Sequence, residues 1–115
     1  MNGNHQEVLN IITSKVTDAA RLSLGDKLDK VILYGSYARG DFNEESDVDI
    51  MILAHIPNID RGTERSKIRA LLNNIELEYD VVLSLKVADC ETFNKFLPVE
   101  PFYKRVIQDG VVVSA

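Results

Sequence analysis

Asp47 and Asp49 stand two positions apart at the head of the apolar run DVDIMIL, residues 47 to 53. Successive side chains of a strand point to opposite faces, so the two carboxylates share one face at a separation of roughly 6 to 7 Å. Two like charges at that spacing repel by roughly 2 to 3 kcal/mol at an effective dielectric near 20. The repulsion grows if Asp80, in the later run EYDVVLSLKV, reaches the same place from a neighbouring strand. Something cationic should sit among them. These strand positions are read as supplying no lysine for the purpose, and hard oxygen ligands with room for water and phosphate suit magnesium or manganese. A divalent cation held by Asp47, Asp49 and Asp80 is the expectation.

A second group lies just upstream in GSYARG, residues 35 to 40. Gly35 closes an apolar run and has no side chain to obstruct a phosphate, and Ser36 adds a hydroxyl donor. Ser36 is expected to cap a one-turn helix through Tyr37, Ala38 and Arg39 that Gly40 ends, a turn that aims free N–H groups at an anion. Phosphate on one side and a metal on the other implies a metal–nucleotide complex. The P-loop is excluded, since no G-x-x-x-x-G-K-[ST] occurs. Arg39 is a candidate phosphate ligand, and equally a tie to Asp41, Glu44 or Asp47 that holds the turn. Tyr34 and Tyr37 flank the turn and could touch a base, although Tyr34 belongs to an apolar run and suits the core. His5 and His55 have no ligand spacing and are given no role.

These residues need a scaffold of strands and short helices. Asn4 and Glu7 form a plausible capping box, and Val8, Ile11, Ile12, Val16, Ala19 and Leu22 recur at helical spacing until Gly25, which predicts a helix over 5–24. Val31 to Gly35 and Asp47 to Leu53 read as central strands, apolar on both faces. Asp60 could cap a second helix striped by Ile68, Leu71, Leu72 and Ile75. Glu78 to Val87 reads as a third strand, with Tyr79, Val81, Leu83, Leu85 and Val87 on one face and Asp80, Val82, Ser84 and Lys86 on the other. Asp89 could cap a short helix carrying Phe93, Phe96 and Leu97. Pro98 and Pro101 interrupt it before a last helix with Phe102, Val106 and Ile107 that ends at Gly110. Val111 to Val113 is an edge strand or a packed tail. The order implies an α/β or α+β fold with a mixed central sheet flanked by helices.

The chain of 115 residues fits one domain with one core. Its 45% hydrophobic and 27% charged residues are those of an ordinary globular protein. No apolar run has the length to cross a bilayer and the start MNGNHQEVLN lacks a secretion signal, so no membrane contact and a cytoplasmic location are expected. Cys90 is the only cysteine, which rules out an intrachain disulfide and a cysteine cluster for zinc. A formal charge of −5 disfavours sequence-independent binding to nucleic acid, so an anionic ligand would depend on a metal ion or backbone N–H groups acting at short range.

Gly35-Ser36, ten residues, then Asp47-x-Asp49 resembles the signature of the DNA polymerase beta-like nucleotidyltransferase superfamily. The strings GSYARG and SDVDI, with the ending FYKRVIQDGVVV, are similar to its minimal nucleotidyltransferase branch across essentially the whole chain. That resemblance implies in-line attack of an acceptor hydroxyl on the α-phosphorus of ATP, with pyrophosphate leaving. Asp47, Asp49 and Asp80 would bind two magnesium or manganese ions, and Asp80 would also be the base. Gly35 and Ser36 would hold the terminal phosphates of the triphosphate. Members of this branch are commonly antitoxins paired with HEPN-domain toxins, which implies AMP transfer to a tyrosine of such a partner. Two alternatives stay open: a small-molecule nucleotidyltransferase, for which no acceptor pocket is evident, and a binding module that covers its toxin without catalysis.

Overall fold

The computed structural model describes residues 5–57, 61–72 and 74–114. Helix α1, His5–Leu24, buries Leu9, Ile12, Val16, Ala19, Ala20 and Leu24 at helical spacing, which gives it one apolar stripe. Two of the apolar residues expected on that stripe lie off it, because Ile11 is 39% and Leu22 76% exposed. Asn4, the proposed cap, lies outside the described residues. After a 3-10 turn at Gly25–Lys27, strand β1 runs Leu28–Tyr34, the one-turn helix α2 runs Ser36–Arg39, and β2 runs Val48–Ala54.

The two strands are antiparallel, with Tyr34 opposite Asp49. Ile50, Met51 and Ile52 of β2 are all buried, as a strand covered on both faces requires. Strand β3, Leu83–Asp89, joins β2 in parallel, and β4, Val111–Ser114, joins β1 antiparallel, giving the order β3-β2-β1-β4. The sheet is mixed, as expected, and β3 and β4 are its two edge strands. One core packs α1 against Val31, Leu33, Ile50, Ile52, Leu83 and Leu85. The other packs Ile32, Tyr34, Met51 and Leu53 against Cys90, Phe93 and Val106. The last three belong to α5, Cys90–Phe96, and α6, Pro101–Asp109. Asp89 caps α5 by accepting from the Thr92 N–H at 3.0 Å, and Pro101 opens α6, as read from the sequence. Cys90 is buried with Sγ 3.0 Å from His55 Nδ1.

The segment between β2 and β3 departs from the expectation. Helix α3 covers Arg61–Leu71, and Ile75 starts a separate short helix α4, Ile75–Tyr79. Leu71 is 49% exposed, so it does not belong to the buried stripe. The proposed cap Asp60 lies outside the described residues. The third strand therefore starts at Leu83, not near Glu78. Two left-handed residues bracket α4, Asn74 at φ 77° and Asp80 at φ 54°, a conformation that Asn and Asp tolerate better than most. The Glu76 carboxylate accepts from the Leu83 N–H at 3.1 Å and pairs with Arg69, whose guanidinium donates to the Leu83 carbonyl at 3.0 Å. That long-range clamp fixes where β3 begins.

Candidate active site

Asp47 lies exposed just before β2, and Val48 between the aspartates is fully buried, which fixes Asp49 on the α5/α6 face. In the register of the sheet, Asp49 has Tyr34 across from it on β1 and Ser84 on β3. Burial pushes the Asp49 carboxyl above its ordinary range, and the charge of Asp47 adds to this, while Lys86, a hydrogen bond from Ser84, and Arg39 pull it down. The aspartate pair is thus held at an electrostatic cost, as expected.

Gly35 sits against Asp49. Its φ of 75° belongs to the region that glycine adopts without strain, and a methyl group at its Cα would overlap Asp49 Oδ2. Gly35, rather than Ser36, is the N-cap of α2, and Ser36 is the first helical residue. The reason is that the Gly35 carbonyl accepts the first bonds of the turn, from the Ala38 and Arg39 N–H groups at 3.1 and 3.0 Å. The N–H groups at the head of the turn have no partner within it. Gly40 ends α2 in the left-handed region, as read from the sequence.

Arg39 ties the turn to the rest of the molecule. Its Nε donates to Asp41 at 3.1 Å and its Nη1 to Asp109, at the end of α6, at 2.9 Å. The tie to Asp41 was one of the readings from sequence; Asp109, seventy positions away, had no local signal.

Asp80 lies before β3 rather than on it. It caps the C-terminus of α4 and is exposed, lining a groove of about 730 Å³ with His5, Val8, Tyr37, Phe42 and Tyr79. Strand alternation would have set it on the Asp49 face, but α4 turns the chain before the strand begins. Among the described residues no group of three His, Cys, Asp or Glu is placed to hold a metal.

One site residue escaped the sequence reading, and a second, Tyr34, was read there as a flank of the turn that suits the core. Lys86 stands on the same face as Asp49, two positions beyond Ser84, and lies close enough for its charge to act on the Asp49 carboxyl. The expectation that these strands supply no lysine is therefore corrected; the alternation of Ser84 and Lys86 was the available signal. Tyr34 is 7% exposed, and its hydroxyl is buried with no hydrogen-bond partner among the described residues. Burial and the nearby Asp49 push that phenol well above its ordinary value. A buried orphan hydroxyl beside a repelling carboxylate pair fits a divalent cation with its water shell, for which Asp47 and Asp49 would be the protein ligands.

The sequence profile described as "Nucleotidyltransferase domain" matches residues 17–113. The chain belongs to this nucleotidyltransferase family. Two relatives from Methanocaldococcus jannaschii agree. "Putative protein adenylyltransferase MJ0141" is 44% identical over 79 residues, covering 68% of this chain and 76% of that protein. "Putative protein adenylyltransferase MJ0604" is 36% identical over 87 residues, covering 76% and 79%. Among solved structures, a nucleotidyltransferase crystal structure from Sulfolobus solfataricus superposes with a TM-score of 0.59 at 21% identity, over 92% of this chain and 78% of that one. A mutant form of the toxin-antitoxin MntA-HpeT gives 0.59 at 19% identity, over 90% and 73%. A minimal nucleotidyltransferase gives 0.59 at 17% identity, over 95% and 98%. At these identities the structures speak for the fold, which the nucleotidyltransferase shares with them. No helix among its described residues is long and apolar enough to cross a membrane.

Proposed function

We propose that this nucleotidyltransferase moves AMP from ATP to a hydroxyl of a partner protein, a tyrosine on a HEPN-domain toxin, and so acts as an antitoxin. The observation that carries the reading is the close approach of Gly35 to Asp49, which supports a phosphate turn beside the metal-binding carboxylates. Two relatives that cover most of this chain are named as protein adenylyltransferases, and a toxin-antitoxin shares its fold.

Gly35, Ser36 and the head of α2 would receive the terminal phosphates through backbone N–H groups and the Ser36 hydroxyl. Arg39 would keep that turn in place through Asp41 and Asp109, and act on the phosphates as a positive charge at a distance. Asp47 and Asp49 would hold one or two magnesium or manganese ions, and when bound these supply charge neutralisation at the α-phosphate. Tyr34 would give its orphan hydroxyl to that shell. Asp80 stands outside the set.

The test is to mix the protein with labelled ATP, magnesium and its candidate partner, and to search the partner by mass spectrometry for an added nucleotide. The expected result is a modified tyrosine, lost with Asp49→Asn. An unmodified partner that is still held inactive would favour the non-catalytic binding module instead.

A further inference from the structure

The groove of about 730 Å³ is lined by both aromatic rings and carboxylates. The Tyr37 ring, one residue past Ser36, stacks on Phe42 with centroids 4.4 Å apart and planes 6° apart, and His5 meets Phe42 edge-on at 5.2 Å. Glu44, Glu78 and Asp80 are exposed there, and among the described residues none of the three belongs to an ion pair. No lysine or arginine among the described residues lines the groove. Three anionic side chains around one concave surface, on a chain of charge −5, concentrate a negative potential in it. A triphosphate is repelled from such a place and a cation is drawn in. A guanidinium group stacks on aromatic faces and pairs with carboxylates through two parallel hydrogen bonds, so arginine uses both kinds of lining at once.

We propose that this groove docks a basic, arginine-bearing segment of the acceptor protein, with Glu44 and Glu78 as its charge partners and the ring of Phe42 as its stacking surface. The proposal rests on the nucleotidyl-transfer reading above and names the chemistry of the partner surface. Tyr37 belongs both to the groove and to the turn that follows Gly35, so a segment held in the groove lies beside the phosphate turn. Glu44 and Glu78 touch none of the reacting atoms. They are specificity residues, whose binding energy is the same before and during the chemical step and therefore lowers the KM for the partner without changing kcat. An acidic segment meets like charge in the same groove and is refused, which gives the site its choice of partner by repulsion as well as attraction.

The experiment titrates three synthetic peptides into the whole chain without nucleotide: alternating arginine and alanine, its lysine twin and its glutamate twin. The arginine peptide should bind most tightly and the glutamate peptide not at all. Glu44→Gln combined with Glu78→Gln should weaken the arginine peptide at least about 10-fold and flatten its dependence on salt, while the affinity for a magnesium-loaded, nonhydrolysable ATP analogue stays unchanged. Asp26→Asn combined with Glu91→Gln removes the same charge away from the groove and should leave peptide binding within about 2-fold of wild type. Phe42→Ala should weaken the arginine peptide more than the lysine peptide. Equal weakening in the two double variants, no preference for the arginine peptide over the glutamate one, or displacement of the arginine peptide by the ATP analogue overturns the proposal. An unmodified partner in the labelling experiment defeats the transfer reading instead, and peptide binding, measured without ATP, is decided separately from it.

Discussion

At the scale of single residues, the site is defined by how closely Gly35, Tyr34 and Asp49 approach one another. Because the folded Asp49 carboxyl lies above its ordinary range, it favours the fold while protonated and loses that contribution as pH rises through its folded value. At pH 7 the ionised carboxylate therefore costs stability in metal-free protein. Asp49→Asn should raise the melting temperature of the metal-free protein by a few degrees at pH 7, a gain that fades below about pH 4. Scanning calorimetry across that range checks it, and magnesium with a nonhydrolysable ATP analogue should stabilise only the wild type. Gly35→Ala should reduce transfer at least about 100-fold, since the added methyl displaces the Asp49 carboxylate and the left-handed backbone disfavours alanine. Single-turnover kinetics would show it. The Gly-Ser pair and the alternate aspartates were legible because their meaning lies in local spacing. Tyr34 was assigned to packing, which is right for its ring, whereas its orphan hydroxyl becomes visible only once Asp49 stands opposite.

At the scale of elements, the placement of Asp80 turns on where β3 begins. Period-two alternation runs unbroken through EYDVVLSLKV, and on that pattern Asp80 belongs to the strand. The helix α4 wins because Glu76 reaches both the Leu83 N–H and Arg69, contacts seven residues apart that no periodicity reveals. Asp80→Asn should keep transfer within about 3-fold of wild type, because among the described residues no group of three carboxylates is placed to hold a metal. Glu76→Ala removes the anchor at the start of β3 and should cost on the order of 1 to 2 kcal/mol, read from urea unfolding. Helix α1, the two central strands, the Asp89 cap and the proline-led α6 were all recoverable from sequence, since caps and apolar stripes are local. The split of α3 from α4 was not, for the same reason that β3 was misplaced.

At the scale of the whole molecule, the mixed sheet and its order of elements follow from the sequence. The pairing of β4 with β1 settles the alternative left open for Val111 to Val113. A chain of charge −5 that binds a triphosphate needs its cation as much as its donors. Chelation of divalent metal should therefore weaken ATP binding at least about 10-fold, a loss that added monovalent salt does not repair. The account's central claim is that Asp47 and Asp49, without Asp80, bind the metal-nucleotide complex beside the Gly35-Ser36 turn. Calorimetric titration of a magnesium-loaded, nonhydrolysable ATP analogue into wild type, Asp49→Asn and Asp80→Asn tests this most directly. Affinity should be equal within about 3-fold for wild type and Asp80→Asn, and at least about 10-fold weaker for Asp49→Asn. Equal weakening in both variants would mean that Asp80 joins the metal site after all, and undiminished binding in Asp49→Asn would mean that the nucleotide sits elsewhere.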